Sequence, residues 1–357
     1  MNWLLVFVAV AIGLETWAPQ QHLAIFAASG LGILPLAAWM GRATEHLAER
    51  MGEGVGGLLN ATFGNAAELI IALAALRSGL HDVVKASLAG SIVGNILLVL
   101  GASMVAGGLR HREQSYNPQA ARAQATMLTL AALTLILPAA YRVALGEEAG
   151  PGLGPLSVSI SVVLLLVYGL FLAFSLGTHA ALFRGSHSGD AGDAGLVQPW
   201  SVRRAVSVLA ASTVAVAVMS EFLVGSIQPA AEALGLGSVF VAVFVVAILG
   251  NAAEHATAIT VAMKNRMDLA LSIAIGSSIQ VALFVAPVLV LLSLMVGPKP
   301  MDLAFPGGLV LIVLLSVMIT GQVAADGRSD WLKGIQLLTA YVVLGLTFFF
   351  MPGASSP

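Results

Sequence analysis

Apolar residues run along this chain in long segments, separated by short connections rich in glycine, proline or charge. Most segments reach the length of about 20 residues that a helix needs to cross a bilayer. None shows the strict alternation of a lipid-facing strand. The pattern predicts eleven membrane-spanning helices, near residues 2–18, 21–44, 55–79, 83–108, 119–144, 155–183, 201–226, 238–263, 268–296, 303–325 and 331–351.

The composition agrees with this pattern. Of 357 residues, 58% are hydrophobic and only 10% are charged, whereas a soluble domain carries about a quarter charged residues. We therefore expect an all-α polytopic membrane protein with almost no soluble part. The absence of cysteine excludes disulfides, thiolate metal sites and thiol catalysis. The net charge of −2 gives no reason to expect a nucleic-acid partner.

The N-terminal stretch MNWLLVFVAVAIGLETWAP has no basic region and no small-residue cleavage site, so we interpret it as a retained helix. With eleven spans, the loops alternate between two sides of the membrane. Twelve of the 16 basic residues lie on the side of the N-terminus, and four lie on the other side. Because cytoplasmic loops carry the excess of Lys and Arg, the N-terminus is expected in the cytoplasm and the C-terminus outside. The expected location is an inner membrane of bacterial type.

One pentapeptide, Gly-Asn-Ala-Ala-Glu, occurs twice, at residues 64–68 and 250–254. At the same shift of 186 residues, further matches follow without gaps: Asp82 with Asp268, Gly90 with Gly276, and Ser91 with Ser277. This extension in register indicates an internal duplication. Because each copy would contain five spans, the second copy enters the membrane from the opposite side. Such inverted repeats are a hallmark of secondary transporters.

The duplication divides the chain into five regions. They are an additional N-terminal helix (1–18), a first five-helix repeat (19–183), a cytoplasmic linker (184–199), a second five-helix repeat (200–351) and an external tail (352–357). The Gly, Ser and Asp residues of the linker are typical of a flexible segment.

The repeated residues are suited to cation binding. On a helix, Asn65 shares a face with Glu68, as Asn251 does with Glu254. The span after each copy adds further polar side chains at helical spacing: Ser87, Ser91 and Asn95 in the first, Ser277 and Gln280 in the second. Together these oxygens would suit a hard cation, Ca²⁺ above all. Glycines 64, 90, 94, 250 and 276 would allow close helix approach or local unwinding.

A bare carboxylate at the centre of a bilayer costs about 3 kcal/mol on insertion scales. Glu68 and Glu254 must therefore bind a cation or be protonated. If the site holds one or the other, and changes its access only when filled, two ion gradients become coupled. The P-loop motif of ATP-driven proteins, G-x-x-x-x-G-K-[ST], is absent. We therefore expect a transporter without catalytic residues or a cofactor, with Ca²⁺ as its substrate. The alternative is that these residues only form structural hydrogen bonds in a helix bundle.

Three other residues are candidates for a role in transport. His255, directly after Glu254, is either a proton relay or an ordinary buried hydrogen-bond donor. Glu45 and Glu221 lie near the ends of the first helix of each repeat. They would line an access path, or only cap and solvate helix ends.

Five stretches of the chain resemble the cation/proton exchanger (CAX) family of the Ca²⁺/cation antiporter superfamily. They are GGLLNATFGNAAELIIAL, DVVKASLAGSIVGNILLVLG, FSLGTHAALF, SEFLVGSIQPAAEALG and ILGNAAEHATAITVAMKNRMDLALSIAIGSSIQVALFV. The resemblance implies eleven helices, H⁺-driven Ca²⁺ export, and Glu68 and Glu254 as acidic ligands. It implies that the neighbouring positions of the site are Asn65, Asn251, Ser91, Asn95, Ser277, Ser278 and Gln280. Family members often have a strongly acidic helix in the central linker, but here that linker holds only Asp190 and Asp193.

Other functions remain open at this point. The nearest alternative is a Na⁺-driven Ca²⁺ exchanger of the same superfamily. Alanines between each Asn and Glu leave few extra ligands for several Na⁺ ions, which favours protons. A passive cation channel or an intramembrane hydrolase is a further alternative, although no zinc-protease or serine-hydrolase motif is present. A homo-oligomer is compatible with the sequence.

Overall fold

The computed structural model describes residues 2–51, 53–180 and 200–350. The predicted linker 184–199 and tail 352–357 lie outside these ranges. Within them, the principal helices are α1 (Val6–Trp17), α2 (His22–Met51), α3 (Glu53–Phe63), α4 (Ala66–Arg77), α5 (His81–Gly108), α6 (Pro118–Leu145), α7 (Gly150–Leu172), α8 (Val202–Ala233), α9 (Ser238–Met263), α10 (Met267–Leu292), α11 (Gly307–Val323) and α12 (Trp331–Phe349). Two short strands, β1 (Gln114–Ser115) and β2 (Arg328–Ser329), form an antiparallel pair that the apolar pattern did not predict.

The helices have the length and composition of membrane spans. In the described part of the chain, seven helical runs are long and apolar enough to cross a bilayer, and Asn2–Trp17 and α11 are shorter apolar helices. One of the seven runs, Pro118–Thr178, turns between α6 and α7 at Gly146, where φ is +55°. The chain is therefore a nearly all-helical integral membrane protein. The number of crossings, eleven, stays a prediction.

The predicted third segment, 55–79, is divided into two helices. Gly64 N donates to Asn60 O at 2.8 Å at the end of α3, and α4 begins after Asn65. The equivalent Gly–Asn pair of the second copy lies inside α9 without interruption. The two identical pentapeptides therefore have different backbone conformations. Spacing alone could not predict this difference, because glycine tolerates both a helix and a turn.

The centre of the bundle is built from helices that occupy equivalent places in the two predicted repeats. α2 packs along α8, α4 contacts α9, and α5 contacts α10. In its most apolar stretch, α5 is 83% buried, against 17% for α12. α5 is therefore central and α12 peripheral, and both pentapeptides lie in the central group.

Three of the central helices contain a wider π-helical turn, at Gly94–Val99 in α5, Ala242–Val246 in α9 and Val281–Val285 in α10. Such turns disturb the regular backbone ladder and are frequent at functional sites. Next to the turn of α5, the hydroxyl of Ser278 donates to Ile92 O and that of Thr320 donates to Ile96 O, each at 3.3 Å. These side chains connect α5 with α10 and α11.

Contacts between distant parts of the chain fasten the loops at the two ends of α5. Near its start, the buried Lys85 donates from Nζ to Asp302 Oδ1 at 2.7 Å and to Ala304 O at 2.9 Å. Beyond its other end, Gln114 of β1 pairs with Ser329 of β2. The loop at 302–304 is therefore fastened to α5 itself, and the loop beyond the other end of α5 is fastened to the segment before α12.

Candidate cation site

Glu68 lies in the first turn of α4 and is only 8% exposed. Its Oε1 accepts a hydrogen bond from Asn251 Nδ2 of α9. The same amide nitrogen lies 3.3 Å from Ser91 Oγ of α5. The positive end of the α4 dipole also favours a negative charge here. Side chains from both predicted repeats thus converge on this carboxylate.

Glu254 lies farther along its own helix, α9, which is continuous on both sides of it. Ser277 of α10 is within hydrogen-bonding reach, and the Glu68 carboxylate is close enough to interact with Glu254 electrostatically. Glu68 Oε2 and Glu254 Oε2 are both buried and have no hydrogen-bond partner. Burying a charged oxygen without a partner is costly. A proton or a cation would remove this cost at each carboxylate.

The glycine of each pentapeptide lies beside the glutamate of the other copy. An ideal Cβ placed on Gly250 would lie 3.1 Å from Cγ of Glu68. One placed on Gly64 would lie 3.6 Å from Oε1 of Glu254. The sequence predicted that these glycines permit close helix approach, and Gly250 does so beside Glu68, whereas the distance from Gly64 to Glu254 would be an ordinary van der Waals contact.

A chain of hydrogen bonds crosses the cluster. The Nδ2 group of Asn95 donates to Ser277 Oγ at 3.1 Å. Because an amide oxygen can only accept, His255 Nε2 is the donor in its bond to Asn95 Oδ1 at 3.0 Å. Ser277 Oγ donates in turn to Asn65 Oδ1 at 2.9 Å. Asn65 Nδ2 then donates to Gln280 Oε1. All four bonds therefore run in one direction, from His255 to Gln280.

Not every residue that the sequence proposed lies in this cluster. The Ser278 hydroxyl bonds to backbone carbonyls, Ile92 O at 3.3 Å and Ala274 O at 3.1 Å. Glu45 is exposed on α2, and Glu221 of α8 forms an exposed ion pair with Arg77 at 3.2 Å.

A narrow cavity adjoins Glu68. Its polar lining is Glu68, Ser87 and Ser91, and the rest is Gly250 and apolar residues. Neither Glu45 nor Glu221 lines it. In the described ranges, no group of three or more His, Asp or Glu side chains is arranged to hold a metal.

The link between His255 and Asn95 was not predicted. His255 follows Glu254 directly, so it points about 100° away around α9, and no spacing rule connects it with α5. The polarity of both residues inside apolar segments was the available signal. Only the packing of α9 on α5 joins them.

Known proteins resemble this chain over nearly its whole length, in sequence and in structure. The family described as sodium/calcium exchanger protein matches residues 21–177 and 204–350. A protein named Ca(2+)/H(+) antiporter from Aphanothece halophytica is 46% identical over 362 residues, covering 98% of this chain and 96% of the relative. The Ca(2+)/H(+) antiporter ChaA of Bacillus subtilis is 40% identical, covering 97% and 98%. A crystal structure of the Ca2+/H+ antiporter protein YfkE superimposes with a TM-score of 0.82 at 38% identity, covering 98% of this chain and all of that one.

Proposed function

The chain belongs to the sodium/calcium exchanger protein family, as its resemblance to cation/proton exchangers predicted, and we propose that it exchanges Ca²⁺ for H⁺ across a membrane. The observation that carries this proposal is the meeting of Glu68 and Glu254 in one cluster, each with a buried, unpartnered oxygen. The names of its relatives support the same pair of ions.

The ligands of Ca²⁺ in this proposal are oxygens of the cluster. Glu68 and Glu254 supply the negative charge, and neutral oxygens complete the shell: Asn65, Asn251, Ser91, Asn95 and Ser277. Ca²⁺ accepts six to eight such oxygens in flexible geometry. In the present structure these side chains form hydrogen bonds with one another, donated by amide nitrogens and by the Ser277 hydroxyl. Cation entry therefore exchanges hydrogen bonds for coordination, which limits the net affinity.

Coupling follows from the charge of the cluster. Two ionised carboxylates at close range repel each other, and in a low-dielectric interior this repulsion is strong. Ca²⁺ neutralises both, and protons also neutralise both. The empty, doubly ionised site is the costly state, so the protein moves between access states only when loaded with one ion or the other. Alternating access then links Ca²⁺ movement in one direction to H⁺ movement in the other.

The distribution of basic residues suggests how the protein is oriented in the membrane. The excess of Lys and Arg on one side favours a cytoplasmic N-terminus and an external C-terminus, with the two five-helix repeats inverted relative to each other. The exchange would then export Ca²⁺ while protons enter.

The test is a Ca²⁺ flux measurement in sealed vesicles containing the purified protein. An imposed pH gradient is expected to drive Ca²⁺ uphill, and an imposed Na⁺ gradient is not. Flux that responds only to Na⁺ would identify a Na⁺-driven exchanger. Flux that never runs uphill would identify a passive channel. Either result would overturn the proposal.

A further inference from the structure

The two predicted repeats supply two half-sites that match residue by residue at the shift of 186. The first contains Glu68 with Asn251 and Ser91, and the second contains Glu254 with Asn65 and Ser277. In the first, the asparagine amide donates to the glutamate, from Asn251 Nδ2 to Glu68 Oε1. Symmetry would have the Asn65 amide donate to Glu254. It donates to Gln280 Oε1 instead.

The reason lies in one position at which the repeats differ. The counterpart of Gln280 is Gly94, which has no side chain and cannot compete for the Asn251 amide. An ideal Cβ on Gly64 would lie 3.6 Å from Glu254 Oε1 and 3.7 Å from Gln280 Oε1. Both acceptors therefore lie beside the same short stretch of backbone that carries Asn65. The Asn65 amide donates to the neutral acceptor, Gln280, and not to the carboxylate of Glu254.

Two further residues that differ between the repeats support this orientation of the Asn65 amide. His255 and Asn95 have Leu69 and Val281 as their counterparts, which cannot form side-chain hydrogen bonds. His255 donates to Asn95, Asn95 donates to Ser277, and Ser277 donates onward to Asn65 Oδ1. Because Asn65 Oδ1 is fixed as an acceptor, its Nδ2 points at Gln280. The directed chain exists on one side of the cluster only.

We propose that Gln280 is a positioning residue that withholds the Asn65 amide from Glu254. The two glutamates, equivalent in sequence, then act differently. Glu68 stays bonded to Asn251, whereas Glu254 keeps its carboxylate free of an amide donor and available to the arriving cation. This inference rests on the proposed Ca²⁺/H⁺ exchange and adds a division of roles within that site.

The test compares Ca²⁺ KM and maximal rate for pH-driven uptake in vesicles. In Gln280→Met, which has a similar shape but no acceptor, the freed amide turns to Glu254 and must be displaced by each Ca²⁺ ion. A hydrogen bond to a charged group is worth about 1.5–3 kcal/mol, which corresponds to roughly a ten- to hundredfold rise in KM. The maximal rate is expected to stay within about twofold. Gln124→Met, which removes a buried amide of α6, is the matched control.

A double variant separates positioning from direct coordination. If Gln280 acts through Asn65, then Gln280→Met has no further effect on KM in an Asn65→Ser background. If Gln280 is itself a Ca²⁺ ligand, KM rises by the same factor in both backgrounds, and the inference is wrong. Isothermal titration of Ca²⁺ into the detergent-solubilised variants gives the same comparison at equilibrium.

The outcomes are distinguishable from failure of the proposed function. Wild-type protein that shows no pH-driven Ca²⁺ uptake refutes the exchange itself. Active wild type with an unchanged KM in Gln280→Met refutes only the role of Gln280. Gln280→Ala serves as a second variant, and loss of folding in both would assign Gln280 a structural role and overturn the inference.

Discussion

Gly90 of α5 lies directly against the backbone carbonyl of Val243 in α9, so closely that an added Cβ would overlap it. The counterpart of Gly90 in the second predicted repeat, Gly276 of α10, has no other atom within 4 Å of such a Cβ. Two glycines that match in sequence therefore differ in packing. Gly90 sets the distance between two central helices, and Gly276 does not.

This difference predicts opposite results for the same substitution. Gly90→Ala is expected to destabilise the protein by about 1–3 kcal/mol or more, because backbone atoms cannot move aside cheaply. Gly276→Ala is expected to be neutral or slightly stabilising, because alanine favours the helix. The melting temperatures of the detergent-solubilised variants test this. Equal melting temperatures would show that α5 and α9 do not approach as described.

Gly250→Ala is expected to act on the site more than on the fold. The new methyl group would press on the stem of Glu68 at 3.1 Å, a contact that a shift of a few tenths of an ångström relieves. That shift displaces the carboxylate from Asn251. We expect a rise in Ca²⁺ KM of about tenfold and a nearly unchanged melting temperature. The measurement is vesicle uptake beside thermal melting, with Gly94→Ala as control because Gly94 has open space around it.

The ion pair between the buried Lys85 and the partly exposed Asp302 is expected to matter for stability. Lys85 is 4% exposed, and it also donates to Ala304 O. Lys85→Met leaves Asp302, whose side chain is 29% exposed, without its charged partner, so the expected cost is about 1–3 kcal/mol. Lys85→Met should therefore lower the melting temperature clearly. The exposed pair of Arg77 and Glu221 supplies the contrast, since Arg77→Met should change the free energy of unfolding by less than about 1 kcal/mol.

Neutralising either central carboxylate is expected to stop exchange. Glu68→Gln and Glu254→Gln keep the size and hydrogen-bonding capacity of the side chain, so both variants should fold. Because an amide cannot exchange a cation for a proton, pH-driven Ca²⁺ uptake should fall to the background of empty vesicles. Glu148→Gln, on an exposed turn between α6 and α7, should transport at the wild-type rate. Normal transport by either folded central variant would remove that carboxylate from the mechanism.

Much of the fold could be predicted because a membrane-spanning helix requires a run of about 20 apolar residues, which is visible in the sequence. The pairing of Glu68 with Glu254 in space was also foreseeable, since duplicated polar residues in apolar segments have few other uses. The relatives confirm the resemblance to cation/proton exchangers on which the choice of ions depended.

Other features depend on contacts that no local pattern encodes. The break between α3 and α4 is absent from the identical pentapeptide in α9, so the pentapeptide by itself does not determine it. The bond between Asn65 and Gln280 joins residues 215 positions apart, and that between Lys85 and Asp302 joins residues 217 apart. Sequence reasoning placed Asn65 and Gln280 in one site but could not assign the direction of their hydrogen bond.

Proton release on Ca²⁺ binding tests the shared use of Glu68 and Glu254 most directly. Ca²⁺ is added to purified protein in weakly buffered solution at a pH where the site is protonated, and the released protons are counted. The wild type should release protons in proportion to the Ca²⁺ bound, and Glu68→Gln and Glu254→Gln should each release fewer or none. Ca²⁺ binding to the wild type without proton release, or undiminished release by both variants, would contradict the account.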